Sequence, residues 1–226
     1  MNSLLLLNAS PRGKTSNSLR MLTQIAEGWK AAGGAEPTVL HLARRADFQH
    51  AVAEFGSADT VLLGTPLYTD SMPGLVLEFI EALEPRVGRD DNPRLAFLVQ
   101  SGLSEATHSR GLERYFAKLS VRFGSTYAGT IVRGGSEALQ QMPDQMLKGL
   151  FSKLQTLGGQ LWADGRFAED TLSQVAGMER YSPVGAAVAT VVTKVPLTQF
   201  YWNGMLKKNG AWEKRFDAPY AKGCAR

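Results

Sequence analysis

The chain has 226 residues, of which 44% are hydrophobic and 20% charged, with one cysteine and a formal net charge of +4. That length suits one domain with an extension and a full hydrophobic core, and the composition excludes disordered and fibrous classes. The longest apolar stretch, near Val184 to Val192, falls well short of the roughly 18 residues that cross a membrane, and the leucine run at Leu4 lacks the basic leader of a secretion signal, so a cytoplasmic location is expected.

In chain order, Leu4 to Leu7 is a continuous apolar run, as a parallel strand buried on both faces requires. Leu19, Leu22, Ile25, Ala26 and Trp29 form one face of a helix that closes at Gly33-Gly34. Thr38 to Leu42 reads as a second strand, and Phe48, Ala51, Val52 and Phe55 as a short helix. Thr60 to Gly64 is a third strand, and Pro73 opens a helix carrying Leu75, Val76, Phe79, Ile80 and Leu83. Leu95 to Val99 is a fourth strand, with Leu112, Tyr115, Phe116 and Leu119 on the helix after it. Tyr127 to Val132 is a fifth, and Leu147, Leu150, Phe151, Leu154 and Leu157 mark a fifth helix, which Gly158-Gly159 is expected to stop.

Five strands, each followed by a helix, predict an α/β, doubly wound parallel sheet with right-handed crossovers. In the strand order 2-1-3-4-5, ligands bind beyond the carboxyl ends of the strands where the order reverses, which singles out the loops after strands one, three and four. Residues 1–160 supply this domain and 161–226 a C-terminal extension. From Lys194 onward seven basic residues (Lys194, Lys207, Lys208, Lys214, Arg215, Lys222 and Arg226) face two acidic ones, Glu213 and Asp217. Aromatic residues alternate with them, among them Phe200, Tyr201, Trp202, Trp212, Phe216 and Tyr220. The expectation is a solvated extension packed on the core or on a partner subunit, with no nucleic acid and no membrane contact. Cys224 alone allows no intramolecular disulfide, and His41, His50 and His108 are scattered, so no protein-built metal site is expected.

The first loop, Asn8 to Ser18, runs from a buried strand into a helix, where free backbone N–H groups and the positive end of the helix dipole favour an anion. Ser10, Thr15, Ser16, Asn17 and Ser18 add donors, and Arg12 and Lys14 add positive charge. One of Ser16 and Asn17 is needed as the helix cap. Gly13-Lys14-Thr15 imitates the end of a nucleotide P-loop, but Asn8 stands where its first glycine belongs and Pro11 removes a backbone donor. The dinucleotide fingerprint G-x-G-x-x-G is also absent. In the second loop Pro66 and Pro73 stiffen a crest of Leu67, Tyr68 and Thr69 suited to a flat heteroaromatic ring. In the third, Gly102 beside Ser101 permits close backbone approach, and His108 is the one group with a useful proton affinity. Gly102 to Ala106 lacks the final glycine of a nucleophile elbow, which argues against a serine hydrolase.

Taken together, Asn8-Ala9-Ser10-Pro11-Arg12 with Ser16-Asn17-Ser18, Gly64-Thr65-Pro66-Leu67-Tyr68 with Met72-Pro73, and Gln100-Ser101-Gly102 resemble the NADPH-dependent FMN reductase and NAD(P)H quinone reductase group of the flavodoxin-like superfamily. The resemblance covers residues 1–160. It implies FMN as cofactor, with its phosphate on Ser10, Arg12, Ser16, Asn17 and Ser18. The ring would lie along Pro66, Leu67, Tyr68 and Thr69, with polar contacts from Ser101 and Gly102. It further implies NADPH or NADH as hydride donor, a small acceptor such as a quinone or flavin, and a homodimer. No catalytic side chain is needed, His108 being the sole candidate. The alternative is a flavin-binding electron carrier without NAD(P)H turnover. Relatives carry Asn where this chain has Thr69, and some carry an iron–sulfur cysteine cluster that is missing here.

Overall fold

The computed structural model describes residues 3–194 and 200–218, less the side chains of 192–194 and 201. Tyr220, Lys222, Cys224 and Arg226 lie outside the described residues. Strands β1 (Leu4–Asn8), β2 (Thr38–His41), β3 (Thr60–Pro66), β4 (Arg94–Gln100) and β5 (Tyr127–Arg133) alternate with helices α1 (Asn17–Ala31), α2 (Arg45–Glu54), α3 (Gly74–Ala82), α4 (Arg110–Phe123) and α5 (Asp144–Ala163). The strands form one parallel sheet in the order β2-β1-β3-β4-β5, as the apolar runs predict.

Alternation along β1 explains why its leucines are continuous. Leu5 and Leu7 enter one core with α2, α3 and α4, whereas Leu4 and Leu6 enter the other with α1 and α5. Phe97 of β4 stacks on Phe116 of α4 at 4.1 Å in the first core, and the buried Trp29 packs edge-on against Trp162 at the rim of the second.

Two expectations need correction. The fifth helix does not stop at Gly158-Gly159 but runs on to Ala163. A Cβ on Gly158 would overlap the Ile25 carbonyl oxygen, and one on Gly28 would overlap that of Gln155. These glycines let α1 and α5 approach backbone to backbone, a packing role that outweighs their tendency to end helices. The compact unit also extends beyond residue 160, to Arg180. Phe167 donates its N–H to the Ala128 carbonyl at 2.9 Å, and a short helix, α6 (Glu169–Ala176), packs Val175 into the second core. This segment covers the open edge of β5, which would otherwise expose unpaired backbone groups.

Residues 181–226 form a second unit containing α7 (Pro183–Lys194) and α8 (Phe200–Lys208). Within it the Lys207 ammonium and the Arg215 guanidinium both lie over the Trp212 ring, at 5.0 and 3.9 Å from its centre.

Candidate functional site: three loops at the carboxyl edge of the sheet

Register brings the loops together. Asn8 lies opposite Gly64, Pro66 opposite Gln100, and Gln100 opposite Arg133, so the chain leaves β1, β3, β4 and β5 along one edge. Positions 12, 68 and 102, remote in sequence, therefore lie on loops that leave neighbouring strands.

The first loop is built around the buried Asn8 side chain. Its Oδ1 accepts from the Ser10 N–H at 3.4 Å and the Ser16 hydroxyl at 3.2 Å, and its Nδ2 donates to the Gly13 carbonyl at 2.9 Å and meets His41 Nδ1 at 3.0 Å. A neutral His41 ring accepts that last bond. Burial lowers the His41 pKa below its ordinary value, Lys14 and Arg44 lower it further, and Asp47 opposes them.

Ser16 is the cap of α1: its hydroxyl accepts from the Leu19 N–H at 3.1 Å while donating to Asn8. The Ser16 carbonyl takes the Arg20 N–H, and among the described residues the N–H groups of Asn17 and Ser18 are the amides of the first turn left without a partner. Ser10 accepts from the Arg12 N–H at 3.3 Å, keeping its own proton to donate. Ser18 accepts from Gln100 Nε2 at 3.4 Å and likewise keeps its proton. Arg12 and Lys14 are exposed, and no ion pair engages either among the described residues. This donor set, positive and free of carboxylates, fits a phosphate. Asn17 behaves differently from its neighbours: its Nδ2 donates to the Ser136 carbonyl at 2.6 Å, while its buried Oδ1 has no partner among the described residues and suits a donor rather than an anion.

The second loop is a two-residue hairpin. Tyr68 and Ser71 exchange backbone hydrogen bonds at 2.8 and 3.1 Å, and Thr69 and Asp70 between them hold φ of +48° and +60°. Positive φ at both central positions is the type I′ pattern, which favours Asn or Gly and strains a β-branched Thr. Pro66 and Leu67 are buried, the latter donating its N–H to Gln100, and Tyr68 stands 46% exposed at the crest. The ring of Tyr68 thus lies open to solvent on a short, stiff support.

In the third loop Ser101 is buried and its hydroxyl accepts from the Leu103 N–H at 2.9 Å, while Gly102 is exposed with Glu137 alongside. His108 bridges loops: Nδ1 lies 4.0 Å from Asp70 and Nε2 3.5 Å from Glu105.

Sequence reasoning passed over two features. Asn8 enters the sequence pattern in place of a P-loop glycine and as the first residue of the Asn8-to-Arg12 motif, neither of which gives its side chain a role, although an amide that donates and accepts at once is what such a hub needs. The loop after β5 carries no motif in the sequence, yet the Ser136 hydroxyl lies within reach of both Gln100 Oε1 and the Ser101 carbonyl and shares its one proton between them, and Gln140 donates to the Ser16 carbonyl. Gly134 permits this, since a Cβ there would press on the Ser104 carbonyl. These partners are more than thirty residues apart and share no local pattern.

A family model described as flavodoxin-like fold matches residues 2–97. Among solved structures, the chain is similar to an FMN-dependent NADH-azoreductase from Bacillus anthracis in complex with FMN, at 16% identity over 71% of this chain and 99% of that one, with a TM-score of 0.55. An NADH:FMN oxidoreductase in its apo form aligns over 81% of this chain and 98% of its own, at 16% identity and a TM-score of 0.56. An NAD(P)H:quinone oxidoreductase from Methanothermobacter marburgensis aligns over 71% and 98%, at 16% identity and a TM-score of 0.50. No curated protein matches the sequence. The chain thus has the flavodoxin-like fold, with the strand order and helix layers that define it.

Proposed function

We propose that the chain is an FMN-dependent NAD(P)H oxidoreductase that passes reducing equivalents to a small acceptor such as a quinone or a flavin. The observation that carries this reading is the donor-rich, carboxylate-free amino end of α1 beside the open ring of Tyr68 and the exposed Gly102. The three neighbours described above are by name reductases that use FMN, a nicotinamide or a quinone, which agrees with it.

Bound FMN supplies reversible two-electron chemistry, and the protein binds, orients and shields it. Arg12, the hydroxyls of Ser10 and Ser18 and the N–H groups of Asn17 and Ser18 would hold the phosphate. Ser16 supports them indirectly, through the cap. The unpartnered Asn17 Oδ1 would accept from a hydroxyl of the sugar chain, which offsets the cost of a buried orphan acceptor. Pro66, Leu67, Tyr68 and Thr69 would flank the ring, with Ser101 and Gly102 at its polar edge. His108 stands between two carboxylates at the rim, placed to exchange a proton with solvent or acceptor.

The test is spectroscopic. Purified protein reconstituted with FMN is expected to bleach on addition of NADPH or NADH and to regain its absorbance when a quinone is added. Flavin that binds but is bleached only by dithionite would make the protein an electron carrier, and protein that takes up no FMN would refute the proposal.

A further inference from the structure

The second unit leaves large apolar side chains in solvent. On α7, Val184, Val188 and Val191 recur at the spacing of one helix face, and each is more than half exposed. Phe200 opens α8 at 80% exposure, and Phe216 stands at 85%. Just past α8, Gly210 at φ +64° turns the chain back: the Ala211 N–H reaches the Leu206 carbonyl, and the Gly210 N–H that of Lys207. That return brings Trp212 to the Lys207 ammonium and the Arg215 guanidinium, and the same guanidinium lies 4.7 Å from the ring centre of Phe216. Cations and aromatic rings therefore form one cluster. Residues 181–193 carry no charge, and from Lys194 onward seven basic residues stand against two acidic ones.

The chemistry of this surface separates the partners that could cover it. A second copy of the chain would set one basic surplus against another, which repels. A partner protein would have to bury lysines, a residue depleted at protein interfaces. A nucleic acid would meet the cations and stack on the rings but leave the valine stripe of α7 in water. A bilayer rich in anionic lipid matches every part. Rings and valines enter the boundary between headgroups and acyl chains, while the lysines and Arg215 stay hydrated among the lipid phosphates.

We propose that the second unit docks on the surface of an anionic phospholipid bilayer, in place of the solvated or packed extension expected from its composition. The contact is peripheral: no described helix is long and apolar enough to cross a membrane. None of these residues belongs to the three loops, so the proposal stands independently of the cofactor assignment.

Co-sedimentation of the full chain with vesicles tests it, with circular dichroism confirming that each variant is folded. The chain is expected to bind vesicles made of phosphatidylcholine and phosphatidylglycerol in equal parts, more weakly as salt is raised, and to leave vesicles of phosphatidylcholine alone unbound. Lys208 and Lys214 are exposed, and no ion pair engages either among the described residues, so Lys208→Glu/Lys214→Glu reverses charge without breaking a salt bridge. It is expected to lower affinity for the mixed vesicles by about a hundredfold or more, and Phe200→Ser/Phe216→Ser by about tenfold or more. A chain that ignores the mixed vesicles, that binds both vesicle types alike, or whose binding survives either pair of substitutions would overturn the proposal. Tighter binding to double-stranded DNA than to the mixed vesicles would also overturn it and make the partner a nucleic acid.

Discussion

At the scale of single residues, the first loop depends on Asn8, whose amide satisfies four partners in a space closed to water. Asn8→Ala leaves those groups unpaired and is expected to cost about 2–4 kcal/mol in a urea titration and to weaken FMN binding as well. Arg12→Ala removes an exposed cation that no ion pair engages among the described residues. It should leave the urea midpoint unchanged and weaken FMN binding by about 1.5–3 kcal/mol, the scale of a charge-assisted hydrogen bond. Thr69 sits at φ +48°, where Asn would sit more easily. Thr69→Asn should therefore raise stability by about 1 kcal/mol, read as a higher melting temperature. The lowered pKa of His41 has a definite sign. The unfolded chain takes up a proton near pH 6.5 while the folded chain resists it, so the His41 contribution is complete above that pH and is lost as pH falls through the lower folded value. A urea midpoint that did not fall more steeply below pH 6.5 in the unmodified chain than in His41→Gln would contradict this.

Among elements, the strands were legible because a parallel strand covered on both faces must be apolar at every position, and Leu4 to Leu7 leave no other reading. The end of α5 was misread for an equally physical reason. A glycine pair signals a helix stop when judged locally, but the cause of Gly158 is the Ile25 carbonyl, more than a hundred residues away. Two substitutions on the same helix separate these readings. Gly158→Ala should destabilise by about 2–3 kcal/mol or more through overpacking, whereas Gly149→Ala, with open space around it, should be neutral or stabilising by up to about 1 kcal/mol through helix propensity. Equal effects at the two sites, measured by chemical denaturation, would refute the close-approach account. Helix α6 escaped notice because its eight residues bury a single large side chain, Val175, too few to show a periodicity.

For the whole molecule, the order of the strands does what no motif does alone. It carries three unremarkable loops to one edge, and each loop supplies what the others lack: unpartnered amides and positive charge, an exposed aromatic ring, and a residue without a side chain. The convergence of these loops could be read from the sequence because the topology could be. The loop after β5 could not, since its glycine and serine contacts appear only once β4 and β5 are side by side. Everything in the proposed function rests on the amino end of α1 holding a flavin phosphate. Quenching of flavin fluorescence by the full chain, measured in parallel with FMN and with riboflavin, tests it most directly. FMN is expected to bind about a hundredfold more tightly, the approximate equivalent of the phosphate contacts. Equal affinity for the two, or quenching of neither, would contradict it.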